Sequence, residues 1–70
     1  MERQPVQSTI LRSVGYDTDR KNMEIEFHSG LVYQYSSVPS KVYADLISAP
    51  AVGKFFSEKV RNRFRAKQQV

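Results

Sequence analysis

The chain has 70 residues, 11 Lys and Arg against 7 Asp and Glu, a formal net charge of +4, one histidine, and no cysteine or tryptophan. That length allows one small domain, because a second independent core needs more than about 40 residues of its own. The missing cysteines exclude a disulfide framework, a thiolate zinc site and thiolate catalysis, and no apolar run approaches the roughly 20 residues that span a bilayer.

Four Tyr and four Phe, with scattered Val, Ile and Leu, argue for a folded chain rather than a disordered one. Ordering costs on the order of 1.5 kcal/mol per residue and burial offsets nearly all of it, so a chain this short is marginally stable or gains from a partner. The N-terminal MERQPVQSTI lacks the apolar core of a signal peptide, and the expected location is the cytoplasm. The charge is uneven. Residues 1–53 hold five bases and six acids, whereas residues 54–70 hold six bases and only Glu58. Such asymmetry points to an anionic partner.

In chain order, residues 1–8 are polar, contain Pro5 and read as a flexible N-terminal arm. Ile10 to Tyr16 is strand-like, although Leu11 blurs the alternation. Asp17 to Asn22 is rich in turn formers and suits a hairpin connection. Met23, Ile25 and Phe27 alternate with Glu24, Glu26 and His28 as a period-2 strand with one wet face. The next turn has two solutions. A two-residue Ser29-Gly30 loop pairs Phe27 with Val32 and puts Tyr33 and Tyr35 beside the glutamates. A three-residue loop with Gly30 left-handed pairs Phe27 with Leu31 and turns both tyrosines inward. The second is favoured, because Leu31, Tyr33 and Tyr35 form the more apolar set.

Ser37-Val38-Pro39 ends the third strand, with Ser37 or Val38 near the cap of a helix opened by Pro39 or Ser40. Val42, Tyr43, Leu46 and Ile47 form its buried stripe. Pro50 can start a second helix, on which Val52, Phe55, Phe56 and Val60 share one side. Lys59 and Arg63 would enter that side if the helix continued, so it is expected to end near Asn62. Gly53 inside this helix costs about 1 kcal/mol relative to Ala, which suggests close approach to the sheet or to the first helix. The fold class is therefore α+β: a three-stranded antiparallel meander followed by two short helices on one face, β-β-β-α-α. The single domain spans residues 9–64, and residues 65–70 form a basic polar tail.

The ordered motifs V-G-Y-D (14–17), M-E-I-E-F (23–27), H-S-G-L-V-Y-Q-Y (28–35), V-P-S-K-V-Y (38–43) and V-G-K-F-F (52–56) followed by V-R (60–61) resemble the KTSC domain. That domain is named from the C-terminal extension of some lysyl-tRNA synthetases and also occurs as a free-standing small bacterial protein. The resemblance covers about residues 8–64 and centres on the Y-x-Y element, Tyr33-Gln34-Tyr35. Ser57 departs from the asparagine expected at its position, and Arg-Phe-Arg-Ala-Lys departs at the C-terminal end. The resemblance carries no established activity; it implies RNA binding only by association with a synthetase.

The basic C-terminus is the strongest functional signal. Lys54, Lys59, Arg61, Arg63, Arg65 and Lys67 would neutralise phosphates and release counterions; the competing readings are a solvated helix end complementing the helix dipole or a surface for an acidic protein. Phe64 would stack on a base or fold back as the last core residue. Tyr33 and Tyr35 on an open strand would form a stacking platform, but the register places them against the helices. Glu24, Glu26 and His28 share a strand face but are spread by about 6.5 Å per step, without a fourth ligand, so no metal site is expected. With one histidine in a turn and no serine beside a base, no catalytic residues are assigned, and no P-loop, dinucleotide fingerprint or nucleophile elbow is present. The expectation is a non-enzymatic module without a cofactor, membrane contact or evident small-molecule substrate. Its partner is RNA, with tRNA among the candidates, or DNA less readily; the alternative is a protein-interaction module, through edge-strand pairing or a homodimer.

Overall fold

The strand Asn22–Phe27 organises the fold, because its alternation sends Met23 and Ile25 fully into the core and Glu24 and Glu26 to the other face. A computed structural model describes residues 2–69. The elements run β1 (Arg3–Pro5), β2 (Leu11–Asp17), β3 (Asn22–Phe27), β4 (Val32–Tyr35), α1 (Ser40–Ser48), α2 (Val52–Lys59) and β5 (Ala66–Gln68). The strands form one antiparallel sheet in sequential order, β1 to β5. The α+β class, the central meander and the two helices stand as expected; the strand count is five rather than three. The assigned arm supplies β1 and the assigned tail supplies β5, and their outermost residues, 1 and 70, lie outside the described residues. Arg-Gln-Pro and Ala-Lys-Gln carry no apolar alternation, and all six of these residues are exposed. Backbone pairing, not burial, holds them. Pro5 is tolerated because an edge strand can lack a donor.

A bulge explains the irregular start of β2. Leu11 pairs with Phe27, and Ser13 with Glu26, so Arg12 is the extra residue. The bulge brings Leu11, Val14 and Tyr16 to the helical face while Arg12 stays exposed. On the opposite face, Ser13 Oγ donates to Glu26 Oε1 at 2.8 Å, and Arg3 Nη1 lies 2.9 Å from Glu24 Oε1. That face is less wet than the alternation implied. β1 pairs with β2 at Gly15, opposite Arg3, and a Cβ there would lie 2.7 Å from the Glu2 carbonyl oxygen and 2.8 Å from Arg3 Cγ.

The β3–β4 turn is the three-residue form. Phe27 N donates to Leu31 O and Gly30 N to Phe27 O, both at 2.9 Å, with Gly30 at φ 98°. Ile25 therefore faces Tyr33, and Met23 faces Tyr35. After β4, Ser37 takes φ 57° and Pro39 is the N-cap of α1, so the cap falls just beyond Ser37 and Val38. The Tyr16 hydroxyl donates to Val38 O, and its ring stacks on Tyr43 with centroids 5.0 Å apart and planes at 14°. This ties α1 to β2. Leu46 is fully buried, with Val42, Tyr43 and Ile47 packed around the core.

In α2, Val52 and Phe56 are buried, and Val60 is the buried C-cap. The helix ends at Lys59 rather than near Asn62, which leaves both Lys59 and Arg63 exposed. Gly53 does meet a close neighbour, but that neighbour is the loop before β2 rather than the sheet or α1: a Cβ there would lie 3.0 Å from Ser8 Oγ. Replacing Gly15 by Ala should destabilise the domain by about 1–3 kcal/mol, because the clash is with backbone as well as with a flexible side chain. Urea unfolding tests this, and an unchanged midpoint would show that β1 does not pack on Gly15.

Candidate ligand groove

The inward register of β4 assembles four aromatic rings from three elements. Phe27 meets Tyr33 at 5.8 Å and 88°, and Phe56 at 5.6 Å and 72°; Tyr35 meets Phe56 at 5.7 Å and 82°. These edge-to-face contacts suit the ring quadrupoles. The four rings line an open groove of about 630 Å³. One side is formed by Ile10 and the hairpin turn with Leu31; the other by Ser57, Arg61 and Asn62 at the end of α2, with Ala66 of β5. Ile10 and Leu31 are large apolar residues left 46% and 41% exposed, and both lie on this groove.

The polar groups are few. His28 Nε2 lies 2.8 Å from Ser8 O; a carbonyl only accepts, so Nε2 carries the proton and donates. The Tyr33 hydroxyl donates to Gln68 Oε1 at 3.4 Å. Tyr35 is only 4% exposed, yet its hydroxyl has no hydrogen-bond partner among the described residues. No fully buried side-chain N or O atom among those residues lacks a partner, so this hydroxyl opens onto the groove that Tyr35 lines. Burial holds it above the ordinary tyrosine value of 10.0; Tyr33 beside it pushes the same way and Arg61 opposes. The hydroxyl is therefore neutral, and a donor, at physiological pH. The Arg61 side chain has no ion pair or hydrogen bond among the described residues. None of the seven acids lines the groove.

The basic residues singled out in the sequence divide. Arg61 enters the groove; Lys54, Lys59, Arg63 and Arg65 are exposed outside its lining. Lys67 pairs with Gln34, which pairs with Glu24, and strand alternation puts it on the sheet face away from Tyr33 and Tyr35. Phe64 is half-buried against the core. Tyr33 and Tyr35 do both jobs at once, packing on the core and lining the groove. The sequence reading overlooked Phe27, Phe56 and Asn62 as groove residues; the period-2 match of Phe27 to Tyr33 and Tyr35 was the available signal. Glu24, Glu26 and His28 go to separate partners, Arg3, Ser13 and Ser8, and the described residues contain no group of three acids or histidines able to hold a metal ion. No described helix is long and apolar enough to cross a membrane.

The KTSC domain family model matches residues 7–64. The chain belongs to the KTSC domain family. The solved structure of a KTSC domain protein from Yersinia pestis is similar over 99% of this chain and 97% of its own, with 36% identity and a TM-score of 0.93. An uncharacterized protein from Stutzerimonas stutzeri is 41% identical over 58 residues, 83% of this chain and 82% of its own. A lysine–tRNA ligase from Nostoc punctiforme is 32% identical over 62 residues, 89% of this chain but 11% of that protein. The KTSC domain thus occurs both in small proteins and as a short part of larger ones.

The raised Tyr35 value makes a prediction for this KTSC domain. Well below pH 10 the hydroxyl is protonated in folded and unfolded chains and contributes no pH dependence; as pH rises through 10 the unfolded chain loses the proton first, so stability falls. Tyr35→Phe should flatten that alkaline decline. Urea unfolding of both proteins between pH 9 and 11 measures it, and equal slopes would show that Tyr35 ionises alike in both states.

Proposed function

We propose that this KTSC domain is a small non-enzymatic RNA-binding module, with tRNA among its targets. One observation carries the reading: an open groove lined by aromatic rings holds Arg61, unpaired among the described residues, and no Asp or Glu is among its lining residues. Arg61 stands in a segment, residues 54–70, with six bases against one acid. Aromatic rings accept unpaired bases, and clustered bases hold the phosphate chain without regard to sequence. The similar lysine–tRNA ligases add support, since their named activity concerns a tRNA.

Arg61, Arg63 and Arg65 are the phosphate-contacting set, with Lys54 and Lys59 adding long-range attraction and Lys67 turned to the other sheet face. Strand addition by a protein partner has less to work with, because β1 and β5 occupy the flanks of the meander and leave edges of three residues. Edges that short are poor templates for pairing.

Fluorescence anisotropy with labelled tRNA and oligouridylate at several salt concentrations tests the proposal. Binding should weaken steeply with salt, and replacing Arg61, Arg63 and Arg65 together by Ala should lower the log–log slope by about 2, at roughly 0.7 per lost single-strand phosphate contact. No binding at low salt, or a slope untouched by the triple replacement, would overturn it.

A further inference from the structure

We infer that the groove is a single-nucleotide subsite, in which Arg61 and the Tyr35 hydroxyl hold one phosphate and an unpaired base lies on the apolar wall of Phe27, Leu31 and Tyr33. The inference deepens the RNA-binding reading and rests on it for the choice of ligand.

Two unsatisfied donors carry the argument. Tyr35 is 4% exposed, so its ring is fixed by packing against Phe56, and its hydroxyl has no partner among the described residues. Arg61 lies close enough to influence that hydroxyl, and its own guanidinium has no ion pair or hydrogen bond among the described residues. Two donors lining one groove, with no Asp or Glu among its lining residues, form a site for an anion. A phenol donor and a planar guanidinium fork together match the oxygens of a phosphate. The neutral state of Tyr35 matters here, because a phenolate would repel the ligand.

The apolar side defines the rest of the ligand. Leu31 is 41% exposed beside Tyr33 and Phe27, and burying it against a flat ring stabilises the complex. The groove's volume of about 630 Å³ falls in the range of small-ligand sites, roughly 300–1,000 Å³. A carboxylate attached to an aromatic group would satisfy Arg61 and Tyr35 equally well. It would leave Arg63 and Arg65, exposed on the segment that leaves Arg61, without a role. A phosphodiester chain continues past the groove and meets them.

The test is a set of amide-resolved NMR titrations of the full chain with uridine monophosphate, adenosine monophosphate, uridine, inorganic phosphate and an N-acetylated aromatic amino acid. Both mononucleotides should shift the amides of Phe27, Leu31, Tyr35 and Arg61, more tightly than uridine or phosphate alone. Tyr35→Phe and Arg61→Gln should each weaken mononucleotide binding about tenfold, the loss of one hydrogen bond to a charged group. Lys41→Ala, on α1 and outside the groove, should not. Arg61 is exposed, so its replacement reports on binding even if Tyr35→Phe disturbs packing. Stronger binding of the aromatic carboxylate would overturn the nucleotide assignment. RNA binding by anisotropy without groove shifts from nucleotides would overturn the subsite and leave the RNA-binding reading intact. Nucleotide binding without RNA binding would do the reverse.

Discussion

The turn at His28-Ser29-Gly30 is the constraint on which the rest depends. Gly30 takes φ 98°, a conformation that costs a side-chain-bearing residue about 1–2 kcal/mol. That choice adds one residue to the loop and so sets the parity of β4 against β3. With it, Tyr33 faces Ile25 and Tyr35 faces Met23. A slip of one residue would place both rings beside Glu24 and Glu26 and expose them. Burying one large apolar side chain is worth about 1.5–3 kcal/mol, so the two tyrosines together outweigh any turn preference. Register and turn agree here, and the aromatic groove is their joint product.

The same parity sorts the charges. On the outer face, one cross-strand row runs Arg3, Gly15, Glu24, Gln34 and Lys67. There the acids of β3 are engaged by Arg3 and by the Ser13 hydroxyl. The Arg3–Glu24 pair is partly exposed and contributes at most about 1 kcal/mol. Its larger effect is on where the field points. With Glu24 and Glu26 held behind the sheet, the groove on the helical side has Arg61 and no Asp or Glu among its lining residues. A net charge of +4 thus understates the polarity of one face and overstates that of the other.

What was legible in the sequence follows from which signals are local. The alternation of Met23 to Phe27 and the i, i+4 stripe of Val42 and Leu46 depend on burial of neighbouring residues, and burial writes itself into composition. The Gly30 turn was legible because two loop lengths gave two testable faces. β1 and β5 were not, because exposed edge strands are chosen by a partner strand distant in sequence and leave no apolar period. The bulge at Arg12 was visible only as a fault in the pattern of β2. For the groove, charge counting found Arg61 but grouped it with five residues that share its sign and not its location. Lys67 is the clearest case: near Arg61 in sequence, it lies on the opposite side of the sheet because β5 pairs with β4.

Tyr35 shows how stability and recognition meet in one side chain. A tyrosine in a core normally finds a partner for its hydroxyl, because a buried donor without one costs about 1–3 kcal/mol. Here the ring is buried at the sheet–helix junction while the oxygen reaches the groove. Phenylalanine would serve the core as well, so packing alone gives no reason for the hydroxyl. With the ring held by packing against Phe56, the oxygen can meet a ligand oxygen with little structural adjustment. A donor held by a packed ring beside Arg61, in a groove with no Asp or Glu among its lining residues, suits the anion proposed above, because a prearranged donor loses little ordering energy on binding.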